Sequence, residues 1–485
     1  MADIPFNKTM TIDKRNPKGA YLIQNRFDSF QEGLYPAAEF TEVDDLSAGG
    51  FEIVGREDSF IFTSDGTDTK VYTYNGAGSP TFKYTISGVE YTDSVEGNNG
   101  VHMIGDRGEY YEINSSSASL IDDLGGSDSQ AKITFDGQFY FIVFDEKIYR
   151  GLTDAVPTEV FANTGGNAEF ITPYNGDIAY IVRDGLDVIF NLWGKDSSTV
   201  LDKQFVITNL RPLGFGVVNG RLLLVSSKGQ TENTKEQKGR LTVDFYNGEH
   251  FDYLNSIKAG DEQLSSGAQA LGDDFLLVAV ASNNDDHNPI LYKDWIMKVK
   301  ANGAIEVLST PETENGSDVQ AIKVHYDYIT VGFENGKLYE NSDNSGNDDY
   351  DNYDDFNETH FITNFIPAKT KKDREKLENV GFMFEKIFND EEMDLYIRFS
   401  ERDVFTKIGT INADIVKNNT ELRMSQEEKD TEASDNDLGL TPQTYEFTES
   451  DISGEDSLPF DTFNEIQFYV HLKEGFSIVK GWYNE

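Results

Sequence analysis

The sequence predicts an all-β protein, an irregular β-propeller of about seven blades followed by an immunoglobulin-like β-sandwich. Short apolar runs rich in aromatic and β-branched residues recur along the chain, each set between two turns and followed by a shorter strand. Their spacing of roughly 35 to 55 residues is typical of four-stranded propeller blades. Helical patterning is scarce throughout.

The clearest repeat is DGQFYFIVFDEKIYRG, residues 136–151. Asp136-Gly137 predicts a turn, and every residue of 139–144 is aromatic or β-branched, as suits a strand buried on both faces. The polar triplet 145–147 then returns the chain into Ile148-Tyr149. Related units contain the predicted strands 60–63, 101–104, 178–182, 222–225, 275–280 and 328–333.

Composition supports a globular β protein despite the charge. The 485 residues include 34 Phe and 24 Tyr, and 38% of the chain is hydrophobic, which is enough to bury a sizeable core. The sequence contains no cysteine, which excludes disulfides, thiol nucleophiles and cysteine metal ligands.

The chain is strongly acidic. It carries 41 Lys and Arg against 86 Asp and Glu, a formal net charge of −45. Such a field repels nucleic acid phosphate, so sequence-specific DNA binding is not expected. An acidic wall along which DNA slides without adhering is compatible with this charge, and so is a simple role in solubility.

Four regions are predicted: an N-terminal arm at 1–50, the propeller at 51–341, an acidic linker with a connecting strand at 342–368, and the sandwich at 369–485. The arm either packs along a neighbouring subunit or supplies one strand to the last blade. The N-terminus lacks a secretory signal, and no apolar run is long enough to span a bilayer.

Two polar insertions, 228–240 and 282–289, fall between the second and third strands of their units. The first carries four cations that are candidate subunit contacts: Lys228, Lys235, Lys238 and Arg240. Insertions of this kind project from one rim, where propellers meet partners, or are plain solvated loops.

The segment 341–358 is acidic and of low complexity, which is typical of a linker. Asp343, Asn347, Asp349 and Asp351 suggest calcium ligands, but Gly346 does not occupy the glycine position of a calcium loop. The linker interpretation is therefore favoured. Beyond it, strands are predicted at 380–387, 395–399, 405–411, 421–424, 444–448, 465–472 and 476–483, the number expected of an immunoglobulin-like sandwich.

No catalytic motif stands out. The sequence has no nucleophile elbow, phosphate-binding loop or zinc-protease helix, and its six histidines are scattered singly. We therefore expect no enzymatic activity, cofactor or bound metal. A carboxylate pair of the glycosidase type stays open as an alternative, because 86 acidic residues always permit one.

Three C-terminal stretches carry a resemblance: THFITNFIPAKTKKDREKLENVGFMFE at 359–385, DLYIRFSERDVFTKIGTI at 394–411 and FNEIQFYVHLKEGFSIVKGWY at 463–483. Together with the architecture, they resemble the propeller-bearing tail nozzle and hub proteins of tailed bacteriophages, of the packaged-DNA stabilisation type.

The resemblance implies a structural virion protein of the tail, assembled in the host cytoplasm. Several copies would form a homo-oligomeric ring on the portal, adaptor or other tail proteins and extend or close the channel of DNA ejection. The basic run Lys369, Lys371, Lys372 and Arg374 would contact an acidic neighbouring ring, or be an ordinary solvated turn. The alternatives are a tail-tip propeller that recognises host glycans, a glycoside-active enzyme and a host interaction hub.

Overall fold

We describe a computed structural model of the chain. It describes residues 2–4, 20–24, 40–46, 51–55, 59–76, 78–98, 100–126, 130–152, 155–162, 164–185, 187–195, 201–208, 210–228, 240–258, 268–272, 274–281, 294–309, 319–325, 329–341, 359–363, 366–367, 375–377, 379–384, 392–399, 405–412, 443–447, 462–463, 465–473 and 478–483. Every regular element in these ranges is a β-strand. No helix capable of crossing a bilayer occurs in them.

Three strands precede the blades: β1 (Ala2–Ile4), β2 (Ala20–Gln24) and β3 (Thr41–Asp45). The first three blades are β4 (Phe51–Val54), β5 (Ser59–Ser64), β6 (Thr69–Tyr74) and β7 (Thr81–Ile86); β8 (Tyr91–Gly97), β9 (Gly100–Gly105), β10 (Glu109–Ile113) and β11 (Ala118–Asp123); and β12 (Lys132–Phe135), β13 (Tyr140–Phe144), β14 (Lys147–Gly151) and β15 (Thr158–Ala162). Each is a four-stranded antiparallel sheet.

The next blades follow the same plan. They are β16 (Ala168–Tyr174), β17 (Asp177–Asp184), β18 (Asp187–Trp193) and β19 (Lys203–Ile207); β20 (Leu210–Val218), β21 (Arg221–Lys228), β22 (Arg240–Tyr246) and β23 (Phe251–Lys258); and β24 (Gln269–Leu271), β25 (Phe275–Ala281), β26 (Asp294–Lys300) and β27 (Ile305–Ser309). The seventh comprises β28 (Val319–Val324), β29 (Ile329–Phe333), β30 (Lys337–Asn341) and β3.

The blades form a closed ring. The first strands of the seven blades contact one another in turn, and β28 of the last blade contacts β4 of the first. A separate apolar core lies between each neighbouring pair of blades, and the one between blades five and six continues into the C-terminal region. The predicted propeller is therefore confirmed, with seven blades among the described residues.

The turns show why the repeats fold in this way. Asn175-Gly176 and Asn219-Gly220 adopt positive φ at both residues, as a tight two-residue hairpin requires. The apolar run that follows the predicted turn becomes the second strand of its blade, and all five residues of β13 are buried. These strands are buried on both faces because a neighbouring blade packs against each side.

The segment before the propeller closes the ring. β3 pairs antiparallel with β30 and thereby becomes the fourth strand of the seventh blade. Glu42 accepts hydrogen bonds from Lys337 Nζ (3.0 Å) and from the Tyr339 hydroxyl (3.2 Å). The Tyr74 hydroxyl of blade one donates to Glu340 of blade seven. Of the two interpretations of the arm, the structure contains the strand that completes the last blade.

The C-terminal strands are β31 (Thr359–Thr363), β32 (Ile366–Pro367), β33 (Glu375–Lys376), β34 (Val380–Phe384), β35 (Glu392–Arg398), β36 (Thr406–Asn412), β37 (Gln443–Phe447), β38 (Thr462–Phe463), β39 (Glu465–Lys473) and β40 (Ile478–Tyr483). One sheet has the order β1-β40-β34-β37, and the other contains β2-β31-β39-β35-β36. Side chains from both sheets share one core.

The immunoglobulin-like arrangement of this region is not confirmed. Two of its strands, β1 and β2, come from the N-terminal segment, and the predicted strand 421–424 lies outside the described residues. β2 also pairs with β27, so the sheet of blade six continues into a C-terminal sheet. The boundaries between the four predicted regions stay predictions.

Every second residue of β39 from Ile466 to Leu472 is apolar and buried. Ile466, Phe468, Val470 and Leu472 are buried in the core that the two C-terminal sheets share. Gln467 on the opposite face is also buried, and its amide is satisfied there: it accepts a hydrogen bond from Arg398 Nε (2.6 Å) and donates one to the Thr363 carbonyl.

Candidate functional site

The predicted contact residues are divided between described and undescribed parts of the chain. Lys369, Lys371, Lys372, Arg374, Lys235 and Lys238 lie outside the described residues, as does the acidic segment 342–358. Lys228 ends β21 and Arg240 begins β22, and the two are paired across these strands. Arg240 Nη1 donates to Ser256 Oγ at 2.9 Å.

The antiparallel order of each blade determines which rim these residues occupy. The first strand begins at the same rim at which the second strand ends and the third begins, and we call this the upper rim. Lys228 pairs with Leu210, the first residue of β20. The strand ends that flank the two polar insertions, Lys228 and Arg240 in blade five and Ala281 and Asp294 in blade six, therefore lie at the upper rim.

A charged residue lies near the start of each of five consecutive inner strands. These residues are Glu52 on β4, Asp93 on β8, Lys132 on β12, Glu169 on β16 and Arg211 on β20. We call them the charged band. Our sequence analysis missed the band. The signal was a charged residue in the first three positions of the inner strands of blades one to five, visible only once the blades are aligned.

The carboxyl groups of blades one and two each bind the next blade. Glu52 Oε1 accepts a hydrogen bond from the Ser94 amide at 2.8 Å, and Asp93 Oδ2 accepts one from the Ile133 amide at 2.8 Å. Glu52 Oε2 is inaccessible to solvent and has no hydrogen-bond partner. Lys132 Nζ lies 3.9 Å from Asp93 Oδ1.

Enclosure of these carboxyl groups changes their acidity. Burial, and then repulsion by Asp93, raise the pKa of Glu52 to about 8. Burial also raises the pKa of Asp93, while Lys132 opposes this shift. Glu52 is therefore largely protonated at neutral pH, and its charge does not cancel that of the nearby lysine.

Glu52→Gln is expected to flatten the pH dependence of stability. Between pH 4.5 and about 8 the folded chain keeps a proton that the unfolded chain releases. The stabilisation by protonated Glu52 is thus complete below pH 4.5 and is lost as the pH rises to about 8, by roughly 1.4 kcal/mol per pH unit. Glutamine mimics the protonated acid, so the variant should exceed wild type in stability at alkaline pH.

Urea unfolding at several pH values measures this effect. Glu159→Gln is the matched control, because Glu159 is exposed and pairs with Lys147. A Glu52→Gln variant whose stability falls with pH as steeply as wild type would contradict the prediction.

Cations of the charged band line a cavity of about 210 Å³ beneath the upper rim. Its walls include Lys132, Glu169, Phe170, Arg183, Arg211 and Pro212. Arg183 Nη1 contacts Glu169 Oε1 at 3.3 Å. Burial, and then repulsion by Arg183, lower the pKa of Arg211, while Glu169 opposes this shift.

This arrangement can hold an anion. Three cations and one carboxylate line the cavity in a chain whose formal net charge is −45. The described residues contain no cluster of three or more His, Asp or Glu side chains suited to a metal ion. The calcium hypothesis concerns 343–351, which lie outside the described ranges.

No family model and no curated protein matches the chain. Solved structures similar in fold include YCF48 bound to D1 peptide, at 12% identity over 65% of this chain and 99% of that chain with a TM-score of 0.46. Selenomethionine-substituted virginiamycin B lyase from Staphylococcus aureus is 15% identical over 62% of this chain and 97% of that chain, with a TM-score of 0.46. The computationally designed Ika8 protein is 11% identical over 63% of this chain and 100% of that chain, with a TM-score of 0.43. Similarity at this level concerns the β-propeller fold alone.

Proposed function

We propose that this chain is a structural protein of a phage tail, several copies of which form a nozzle or hub ring around the DNA exit channel. One observation carries the proposal: the sheet of blade six continues through β2 into β31 and β39. Backbone pairing of Gln24 with Val307, and of β2 with β31, therefore connects the propeller to one of the two C-terminal sheets. A continuous sheet resists bending between its two ends, which suits a part of a virion that bears load.

The charge of the chain supports a DNA conduit. With a formal net charge of −45, a surface that faces the channel repels phosphate and leaves the genome free to move. The inner strands of the propeller contact their neighbours around the whole ring. The genome would therefore pass through an opening between subunits and not through the centre of one propeller. It would make no sequence-specific contacts there. Portal, adaptor or other tail proteins are the proposed neighbours, and no catalytic step is part of this role.

Assembly through the basic run is expected to depend on salt. In the proposed ring, Lys369, Lys371, Lys372 and Arg374 contact an acidic surface of the neighbouring ring or subunit. The combined charge reversal K369E/K371E/K372E/R374E should reduce the oligomeric fraction about 10-fold or more at low salt, and wild type should dissociate as salt screens the contact.

The molecular mass in solution at several salt concentrations measures this effect. K83E/R107E/K203E/K300E is the matched control, because it makes the same change in net charge at exposed positions that are not candidate contacts. A wild-type chain that stays monomeric at every concentration and salt, alone and with tail proteins, would contradict the ring.

The cavity at the upper rim favours a second candidate function, a tail-tip propeller that recognises acidic host glycans. Its cations, together with Phe170 and Pro212, offer charge and an apolar wall to a sugar acid. Binding of acidic but not neutral glycans by the monomer, with no assembly onto tail proteins, would favour this function over the ring.

A further inference from the structure

We infer that the cavity beneath the upper rim is a binding site for one compact oxyanion, a phosphate or carboxylate group. The site is formed by Arg211, Arg183 and Lys132, which come from blades five, four and three. This inference does not depend on ring assembly, because every residue of the site belongs to one chain.

Among the three cations that line the cavity, Arg211 is the one without an ion pair to a described residue. Its side chain is half-buried on β20, and no described residue gives its guanidinium group a hydrogen bond or an ion pair. A guanidinium group has five donors in a planar fork and cannot lose its charge in a protein. Partial burial and repulsion by Arg183 disfavour the charged guanidinium group, and an anion in the cavity would offset both effects.

The carboxylates near the cavity do not neutralise all three of its cations. Glu169 is already engaged by Arg183 at 3.3 Å. Asp93 lies 3.9 Å from Lys132 Nζ, at the outer limit of an ion pair. Three cations therefore face the space with one carboxylate among them. The field of the remaining chain repels anions, so binding at this point must come from local contacts.

Size and shape define the ligand class. A cavity of about 210 Å³ is smaller than the sites that enclose drug-sized ligands, which hold about 300–1,000 Å³. The arginine fork matches the two oxygens of a carboxylate or phosphate. Phe170 and Pro212 give the wall an apolar part against which the carbon skeleton of a sugar acid or sugar phosphate can pack.

The test is calorimetric titration of the full chain with inorganic phosphate and, separately, with glucuronate. We expect saturable binding of at least one, which also identifies the preferred oxyanion. Arg211→Gln should weaken binding about 10-fold or more, since it removes the charge-assisted hydrogen bonds of the guanidinium group. Glu169→Gln should strengthen binding, because it removes the negative charge of the cavity and frees Arg183.

Arg107→Gln is the matched control, because it makes the same change in net charge at an exposed turn outside the cavity. Thermal unfolding of each variant checks that the propeller remains folded. Absence of saturable binding by the wild type at millimolar ligand would overturn the inference. Equal binding by the Arg211→Gln and Arg107→Gln variants would also overturn it, as would weaker binding by Glu169→Gln.

Discussion

Removal of residues 1–45 is expected to abolish cooperative folding of the propeller. The deletion removes β1, β2 and β3, which leaves the seventh blade with three strands and takes away the link between β27 and β31. It exposes the edge of β30 and removes Glu42, the partner of Lys337 and Tyr339. The apolar core between blades seven and one then faces solvent on one side. Because a domain has only about 5–15 kcal/mol of stability, this loss should leave an aggregating or partly unfolded chain.

A shorter deletion is the control for this prediction. Removal of residues 1–19 takes away β1 but keeps β2 and β3, so the propeller should still unfold in one cooperative transition. Thermal unfolding, monitored by circular dichroism, compares the two deletion variants. A 1–45 deletion that melts as sharply, and at the same temperature, as the 1–19 deletion would show that β3 is not needed to close the ring.

Gly97→Ala is expected to destabilise the propeller by about 3 kcal/mol or more. A Cβ atom at this position, at the end of β8, would overlap the ring and hydroxyl of Tyr140 on blade three. Tyr140 is fully buried, and its ring contacts the rings of Phe135 and His102. Overpacking of a rigid core costs about 1–3 kcal/mol or more.

Urea unfolding of two further variants tests whether overlap with Tyr140 causes the destabilisation. Gly151→Ala is the matched control, since its new Cβ would meet Pro157 at 3.3 Å and should cost much less. Tyr140→Leu removes the atoms that the Gly97 Cβ would overlap, so the double variant should be less destabilised than the two single variants added together. Simple additivity, or an unchanged Gly97→Ala variant, would contradict the proposed overlap.

The sequence was most informative where local chemistry determines the structure. The Asn-Gly turns at 175–176 and 219–220, and the apolar runs that follow them, predict the second strands of their blades because turn geometry and burial are both local. The strands β1 and β2 were not predicted, and the strand that the arm gives to the last blade, β3, was predicted only as one of two alternatives. Their partners lie hundreds of residues away, and short segments without clear alternation do not reveal such long-range pairing.

The candidate site illustrates the same limit. Arg211, Arg183 and Lys132 are separated in sequence, and only the closed ring brings them to one cavity. The basic residues that the sequence did single out are mostly outside the described ranges, although Lys228 pairs with Leu210 beside Arg211. Blade alignment would have found the charged band, but not the cavity, which depends on how the blades pack.

Electron microscopy of the purified chain, imaged alone and with tail proteins at low and high salt, tests the proposed ring most directly. We predict closed rings in which propellers surround a central opening between subunits, wide enough for duplex DNA. Isolated propellers under all of these conditions would contradict the role in a tail nozzle or hub.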